Sequence, residues 1–180
     1  PELNILKYQG VTYSFIQLAT FINYYFDLFD QYNIVEGSTV IIDVERGVDC
    51  IALIYALTMR GIIYIPLSER FPLEVKLNLI KKHSPTKVLT ANEQLIDKVV
   101  LADIEIIDIK SAKNQNSFEY YKKPVKFPIE NQSNTNCIIF TSGTTGEPKG
   151  VKIQNKSILN RWEWMWNEFP FYENDVVLFH

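Results

Sequence analysis

Residues Thr39–Thr90 read TVIIDVERGVDCIALIYALTMRGIIYIPLSERFPLEVKLNLIKKHSPTKVLT, and their rhythm sets the fold. Thr39–Val44 is a short apolar run of strand type. Asp49 is placed to cap a helix running to about Arg60, and Gly61 supplies the left-handed stop that helices favour. Ile62–Ile65 is the next predicted strand, closed by Pro66. Pro72 suits the first turn of a helix carrying Leu73, Leu77 and Ile80. That helix must end before Ser84-Pro85, because a residue preceding proline avoids helical angles. Lys87–Thr90 is again strand-like. Strands alternating with helices of about 10 residues call for crossover connections, hence a parallel sheet with helices on both faces. Near-continuous Ile/Val runs agree, since strands covered on both sides need no polar face.

The same pattern extends outward. Leu3–Tyr8 and Val11–Tyr13 around Gly10 read as a hairpin. Ser14 and Gln17 form a capping-box signature ahead of a helix with Phe15, Leu18, Ala19, Ile22, Phe26 and Phe29 on one stripe. Asp30, Asn33 and Gly37 close that helix and its exit loop. Downstream, Asn92 is placed to cap a helix with Leu95, Ile96, Val99 and Val100, and Ile104–Ile109 is strand-like. Lys110–Thr135 is polar, holds two prolines and five lysines, and has no period. It reads as an irregular solvated loop, of a length uncommon inside compact domains. Asn136–Thr141 and Gly150–Gln154 are predicted strands, followed by a helix from Lys156 to about Glu168 and a last strand at Asp175–Phe179. No internal repeat is visible.

Composition narrows the class. With 47% hydrophobic and 22% charged residues, the 180-residue chain is too apolar for disorder to be its main state. Length alone suggests about one domain. A net charge of −3 gives no electrostatic footprint for nucleic acid. Cys50 and Cys137 each sit inside an apolar run and read as buried thiols, without the spacing of a disulfide framework or metal site. No stretch approaches the roughly 20 apolar residues of a spanning helix, and no signal peptide opens the chain, so the expected location is cytoplasmic. The chain opens at Pro1 without a methionine, which suggests a trimmed chain or an internal fragment.

The chemistry concentrates in Thr141-Ser142-Gly143-Thr144-Thr145-Gly146-Glu147-Pro148-Lys149-Gly150, directly after a predicted strand. Glycines let backbone N–H groups approach an anion, hydroxyls add uncharged donors, and Lys149 adds a point charge suited to phosphate. The spacing is not that of a Walker P-loop, because the motif G-x-x-x-x-G-K-[ST] is not met after Gly143. A plain hairpin loop between two strands is the alternative.

This stretch resembles the signature loop of the adenylate-forming superfamily: acyl-CoA synthetases, luciferases and the adenylation domains of nonribosomal peptide synthetases. VTYSFIQLATFINYYF from Val11, LTMRGIIYIPLSERFP from Leu57, KVLT at Lys87–Thr90 and NKSILNRWEWM after the loop are similar to further family segments. Arg60 stands where the family often has alanine, and Ser68 where it often has aspartate. Only Lys110–Thr135 is unmatched.

The resemblance implies ATP-dependent activation of a carboxylic or amino acid as an acyl-adenylate with release of pyrophosphate. The acyl group then passes to the thiol of coenzyme A or of phosphopantetheine, the latter on a carrier-protein domain. It implies that Thr141, Ser142, Gly143, Thr144, Thr145, Gly146 and Lys149 contact the ATP phosphates. The residues implied for magnesium, adenine, ribose and the catalytic lysine come later in family members. Residues 1–180 are therefore expected to be the first part of the large N-terminal domain and inactive alone, with no catalytic residue of their own. The spacing YIP-x-x-x-x-FP at Tyr64–Pro72 leans towards the amino-acid-activating type, with a fatty or aromatic acyl-CoA synthetase as runner-up. A non-catalytic nucleotide-binding or interaction module is the alternative from another class.

Lesser candidates have plainer readings. Trp162, Trp164 and Trp166 are expected to pack against the sheet or further residues, with a stacking platform or exposed patch as alternatives. His83 is expected at the surface, complementing a helix dipole. Asp43, Glu45 and Asp49 are expected to cap or be solvated, and His180 has no context that assigns it a role.

Overall fold

The computed structural model describes residues 4–99, 104–110, 135–141, 148–172 and 175–177. Hairpin strands β1 (Asn4–Tyr8) and β2 (Val11–Ser14) pair antiparallel, with Tyr8 opposite Val11. The turn residues Gln9 and Gly10 both have positive φ, the geometry that matches the twist of two-residue hairpins. Helix α1 (Phe15–Gln31) starts on the expected capping box: the Ser14 N–H donates to Gln17 Oε1 at 2.7 Å, and the Gln17 N–H to Ser14 Oγ at 3.3 Å. Its buried stripe of Leu18, Ile22, Tyr25, Phe26 and Phe29 follows the helical period. Asn33, in the left-handed region, ends it, and the Ile34 N–H reaches back to the Phe29 carbonyl at 2.8 Å.

Strand β3 (Thr39–Asp43) is followed by α2 (Val48–Met59), β4 (Ile63–Pro66), α3 (Leu73–His83), β5 (Lys87–Thr90), α4 (Glu93–Val99) and β6 (Glu105–Asp108). Then come β7 (Thr135–Thr141), β8 (Lys149–Gln154) and α5 (Asn155–Glu168). The main sheet has the order β6-β5-β3-β4-β7-β8, and all neighbours run parallel except β7 and β8. This is the expected α/β architecture. On one face α1 and α2 pack over Val40, Ile42, Tyr64 and Leu89; on the other α3 and α4 pack over Ile41, Ile65 and Val88. A fully buried leucine, isoleucine or phenylalanine contributes about 1.5–3 kcal/mol, and both layers hold several.

Local differences have local causes. Gly47 precedes α2 and Asp49 lies in its first turn, so Asp49 is not the cap. A side chain at Gly47 would come within 3.2 Å of the Tyr8 ring, which docks the hairpin on this loop. Pro72 stands one residue ahead of α3, because its ψ of 150° is extended. Ser84 takes left-handed angles, leaving the helix just before Pro85 as expected. Asp175–Val177 is not a strand: the Tyr172 N–H donates to Asp175 Oδ2 and the Asp175 N–H to the Tyr172 carbonyl, closing a turn. An apolar run without a pairing partner does not make a strand. Most of the irregular Lys110–Thr135 segment, residues 178–180 with His180, and Val100 lie outside the described residues.

Candidate functional site

The phosphate-loop candidate is carried by the β7–β8 hairpin. β7 adds to the parallel sheet beside β4, with Tyr64 opposite Cys137. β8 then returns antiparallel, and its register brings Thr141 opposite Lys149 at the turn end. The Thr141 hydroxyl donates to the Lys149 carbonyl at 3.4 Å. Both residues are exposed, and among the described residues Lys149 has no ion-pair partner. Ser142, Gly143, Thr144, Thr145 and Gly146 lie between them in sequence and outside the described residues.

Two features fix this hairpin. At its base, buried Asn136 donates through Nδ2 to Thr58 Oγ1 at 3.2 Å and to Asn155 Oδ1 at 2.8 Å. One side chain thus ties β7 to α2 and to the start of α5. Near its tip, a Cβ on Gly150 would lie 3.1 Å from Ile138 Cγ2 and 3.2 Å from the Phe140 ring, so glycine lets β8 close down on β7. The Phe140 ring also meets that of His83, with ring centroids 4.8 Å apart. His83 is therefore half-buried rather than free at the surface. Desolvation, and then neighbouring Lys82, lower its pKa, which weakens its expected role as a cation at the end of α3. Asn136 was not singled out from the sequence, where an asparagine at the start of an apolar strand was its signal, and Gly150 was read only as the last glycine of the Thr141–Gly150 stretch.

Cys50 and Cys137 are free and buried, as expected. Burial raises both thiol pKa values; for Cys137 a hydrogen bond with Tyr64 acts in the opposite sense. The Tyr64 phenol is itself pushed up, mainly by burial.

Asp43 departs furthest from expectation. It is 5% exposed and neither caps a helix nor faces bulk water. Its position at the end of a central strand, flanked by β4 and β5, places it under α3, where Lys76 Nζ donates to Oδ1 at 2.6 Å. Asn92 Nδ2 donates to Oδ2 at 3.2 Å, while Asn92 Oδ1 accepts from the Gln94 N–H at 3.1 Å at the start of α4. These groups floor a cavity of about 510 Å³, with Glu45, Glu69 and Glu93 on its walls. The tryptophans do not pack against the sheet: α5 buries none of its residues, and Trp162, Trp164 and Trp166 are all exposed. This is the exposed-patch alternative.

The sequence model of AMP-binding enzymes matches residues 1–180. The chain belongs to the AMP-binding enzyme family. It is 28% identical over 179 residues to gramicidin S synthase 2 of Brevibacillus brevis, spanning 99% of this chain and 4% of that protein. It is 28% identical over 171 residues to the D-alanine–D-alanyl carrier protein ligase of Streptococcus equi subsp. equi, spanning 95% of this chain and 32% of that one. Its fold matches that of O-succinylbenzoate coenzyme A synthetase from Bacillus subtilis, solved in complex with ATP and magnesium ion: TM-score 0.72, 19% identity, 96% of this chain and 45% of the other. The chain thus spans less than half of each of these proteins. Among the described residues, no helix is long and apolar enough to cross a membrane.

Proposed function

We propose that the protein to which this AMP-binding chain belongs is an adenylate-forming ligase. It joins a carboxylic or amino acid to ATP, releases pyrophosphate and passes the acyl group to a thiol. The observation that carries this reading is the β7–β8 register, which sets Thr141 and Lys149 side by side, flanking the Ser/Thr/Gly segment in sequence. An exposed hydroxyl and an exposed ammonium beside glycines fit a polyphosphate. Phosphate chemistry asks chiefly for positioning and charge stabilisation. In this reading Lys149 holds phosphate charge, Thr141 and the Ser142–Gly146 run supply hydroxyl and backbone donors, and Asn136 and Gly150 keep the hairpin in register. ATP, when bound, supplies the adenylyl group.

Among the described residues no His, Cys, Asp or Glu side chains group to hold a metal ion. The magnesium ligand is assigned to a later part of the polypeptide. Residues 1–180 form part of a larger N-terminal domain in this reading. The exposed apolar face of Leu159, Trp162, Trp166 and Phe169 supports it, since isolated domains rarely leave such patches open.

Amino-acid activation, with a carrier-borne phosphopantetheine as acceptor, is favoured over acyl-CoA synthesis. The YIP-x-x-x-x-FP spacing supports it, as does the relative named as a D-alanine–D-alanyl carrier protein ligase. ATP–pyrophosphate exchange by the whole protein, over a panel of amino and carboxylic acids, tests the proposal. Exchange that depends on an amino acid is expected. Folded protein that supports exchange with no acid contradicts it, and a reading frame stopping near residue 180 would favour a non-catalytic module.

A further inference from the structure

The cavity floored by Asp43 and Lys76 lies at a point that topology singles out. After β3 the chain turns to α2 on one face of the sheet; after the adjacent β5 it turns to α4 on the opposite face. Neighbouring strands whose exits diverge leave a crevice outside their carboxyl ends, where open α/β sheets bind ligands. The phosphate-loop hairpin is elsewhere: β4 separates β3 from β7. The cavity's volume, about 510 Å³, falls in the range of small-molecule sites.

Two independent features define what would fit. At the floor, the Lys76 side chain is 7% exposed, yet its ammonium carries three N–H donors and gives one to Asp43. Among the described residues the others have no acceptor. These donors open into the cavity, where water or a ligand oxygen can accept from them. At the rim, Glu45, Glu69 and Glu93 are exposed; among the described lining residues the cations are Lys110 and the Lys76 already paired with Asp43. The Arg46 N–H holds Glu69 Oε1 at 2.9 Å. With Asp43 and Lys76 neutralising each other, the rim calls for positive charge. No three of the acids group to hold a metal ion among the described residues, so a molecule spanning the rim suits it better than a single cation.

We propose that the β3–β5 crevice is a binding site for a small amino-acid-like molecule, with a carboxylate or carbonyl oxygen on Lys76 and ammonium groups on the glutamates. This site is separate from the phosphate-binding turn and does not rest on the adenylation reading. Ornithine, with a carboxylate and two ammonium groups, is the probe; putrescine carries the ammonium groups without an oxygen.

The experiment is equilibrium dialysis of radiolabelled probe against the whole protein and its Glu45→Gln, Glu93→Gln and Lys76→Met variants. Glu163→Gln on exposed α5 serves as the charge control. Ornithine is expected to bind saturably, and each rim variant to weaken it about tenfold, the scale of one charge-assisted hydrogen bond. Putrescine is expected to bind at least about tenfold more weakly than ornithine, a gap that Lys76→Met closes. Glu163→Gln should change nothing. Exchange activity should survive Glu45→Gln and Glu93→Gln; if it is lost with ornithine binding, the probe occupies the activation site and the proposal falls. Ornithine bound equally by wild type and both rim variants, or not saturably at all, also overturns it. Because the readout is binding, a failure of the adenylation reading leaves this test standing.

Discussion

Replacing Lys76 by methionine keeps an unbranched side chain but removes the charge facing Asp43. The two side chains are 7% and 5% exposed, and Nζ lies 2.6 Å from Oδ1. Charge centres about 4 Å apart attract by about 4 kcal/mol at an effective dielectric near 20. That gain is largely offset by desolvation of both ions, so the pair as a whole adds little. Removing one partner is different, because it strands a buried carboxylate at a typical cost of about 3–5 kcal/mol. Asn92 still donates to Oδ2, and the cavity admits water, so the lower end applies: about 3 kcal/mol for Lys76→Met. The double variant Asp43→Leu/Lys76→Met should return to within about 1 kcal/mol of wild type, giving a coupling of about 2–3 kcal/mol. Urea unfolding of the 180-residue chain, read from the midpoint at unchanged slope, measures all four corners of the cycle. A single variant within about 0.5 kcal/mol of wild type, the range of ordinary surface substitutions, would refute the reasoning.

Two further outcomes follow from burial. The lowered pKa of His83 means that the folded state binds this proton less readily than the unfolded chain. Its contribution to stability is therefore present above pH about 6.5, the usual histidine value, and is lost as pH falls through the folded pKa. His83→Gln should flatten that loss in melting curves collected from pH 7.5 to 5, and an identical pH dependence in both proteins would contradict the contact with Phe140. Cys50 and Cys137, with raised pKa values, should react slowly with an aromatic disulfide reagent at pH 8 in the native chain and rapidly in urea. Fast native labelling of either thiol would place it outside the core.

What could be read from the sequence was what depends on neighbours along the chain. Ser14 and Gln17 meet across one turn, so their spacing alone specified the cap. Gly61 and Ser84-Pro85 ended α2 and α3 by local backbone preference. The alternation from Thr39 to Thr90 yielded the parallel sheet because each apolar run was short and each break was marked. The Asp43–Lys76 pair was hidden because 33 positions separate its members and only the stacking of α3 on β3 brings them together. Asp43 looked like a strand-end carboxylate, and Lys76 like one more charge on a helix. Asn136 was hidden for the same reason: its partners Thr58 and Asn155 belong to other elements. Asp175–Phe179 had the apolar pattern of a strand, but its described part, Asp175–Val177, is not one, because pairing depends on a neighbour that pattern cannot supply. The Thr141–Gly150 stretch was legible as a candidate for phosphate binding from its Gly, Ser and Thr content, and the hairpin added the pairing of Thr141 with Lys149.

Lys149→Ala, measured in two ways, tests the central claim most directly. In the 180-residue chain the exposed ammonium has no ion-pair partner among the described residues, so stability should stay within about 0.5 kcal/mol of wild type. In the whole protein the same change removes one charge-assisted phosphate contact of about 1.5–3 kcal/mol. That corresponds to an ATP–pyrophosphate exchange rate roughly tenfold to a hundredfold lower, since each 1.36 kcal/mol is tenfold. A chain destabilised by several kcal/mol, together with an exchange rate that is unchanged, would make Lys149 a structural residue and contradict the assignment of the β7–β8 turn to ATP phosphates.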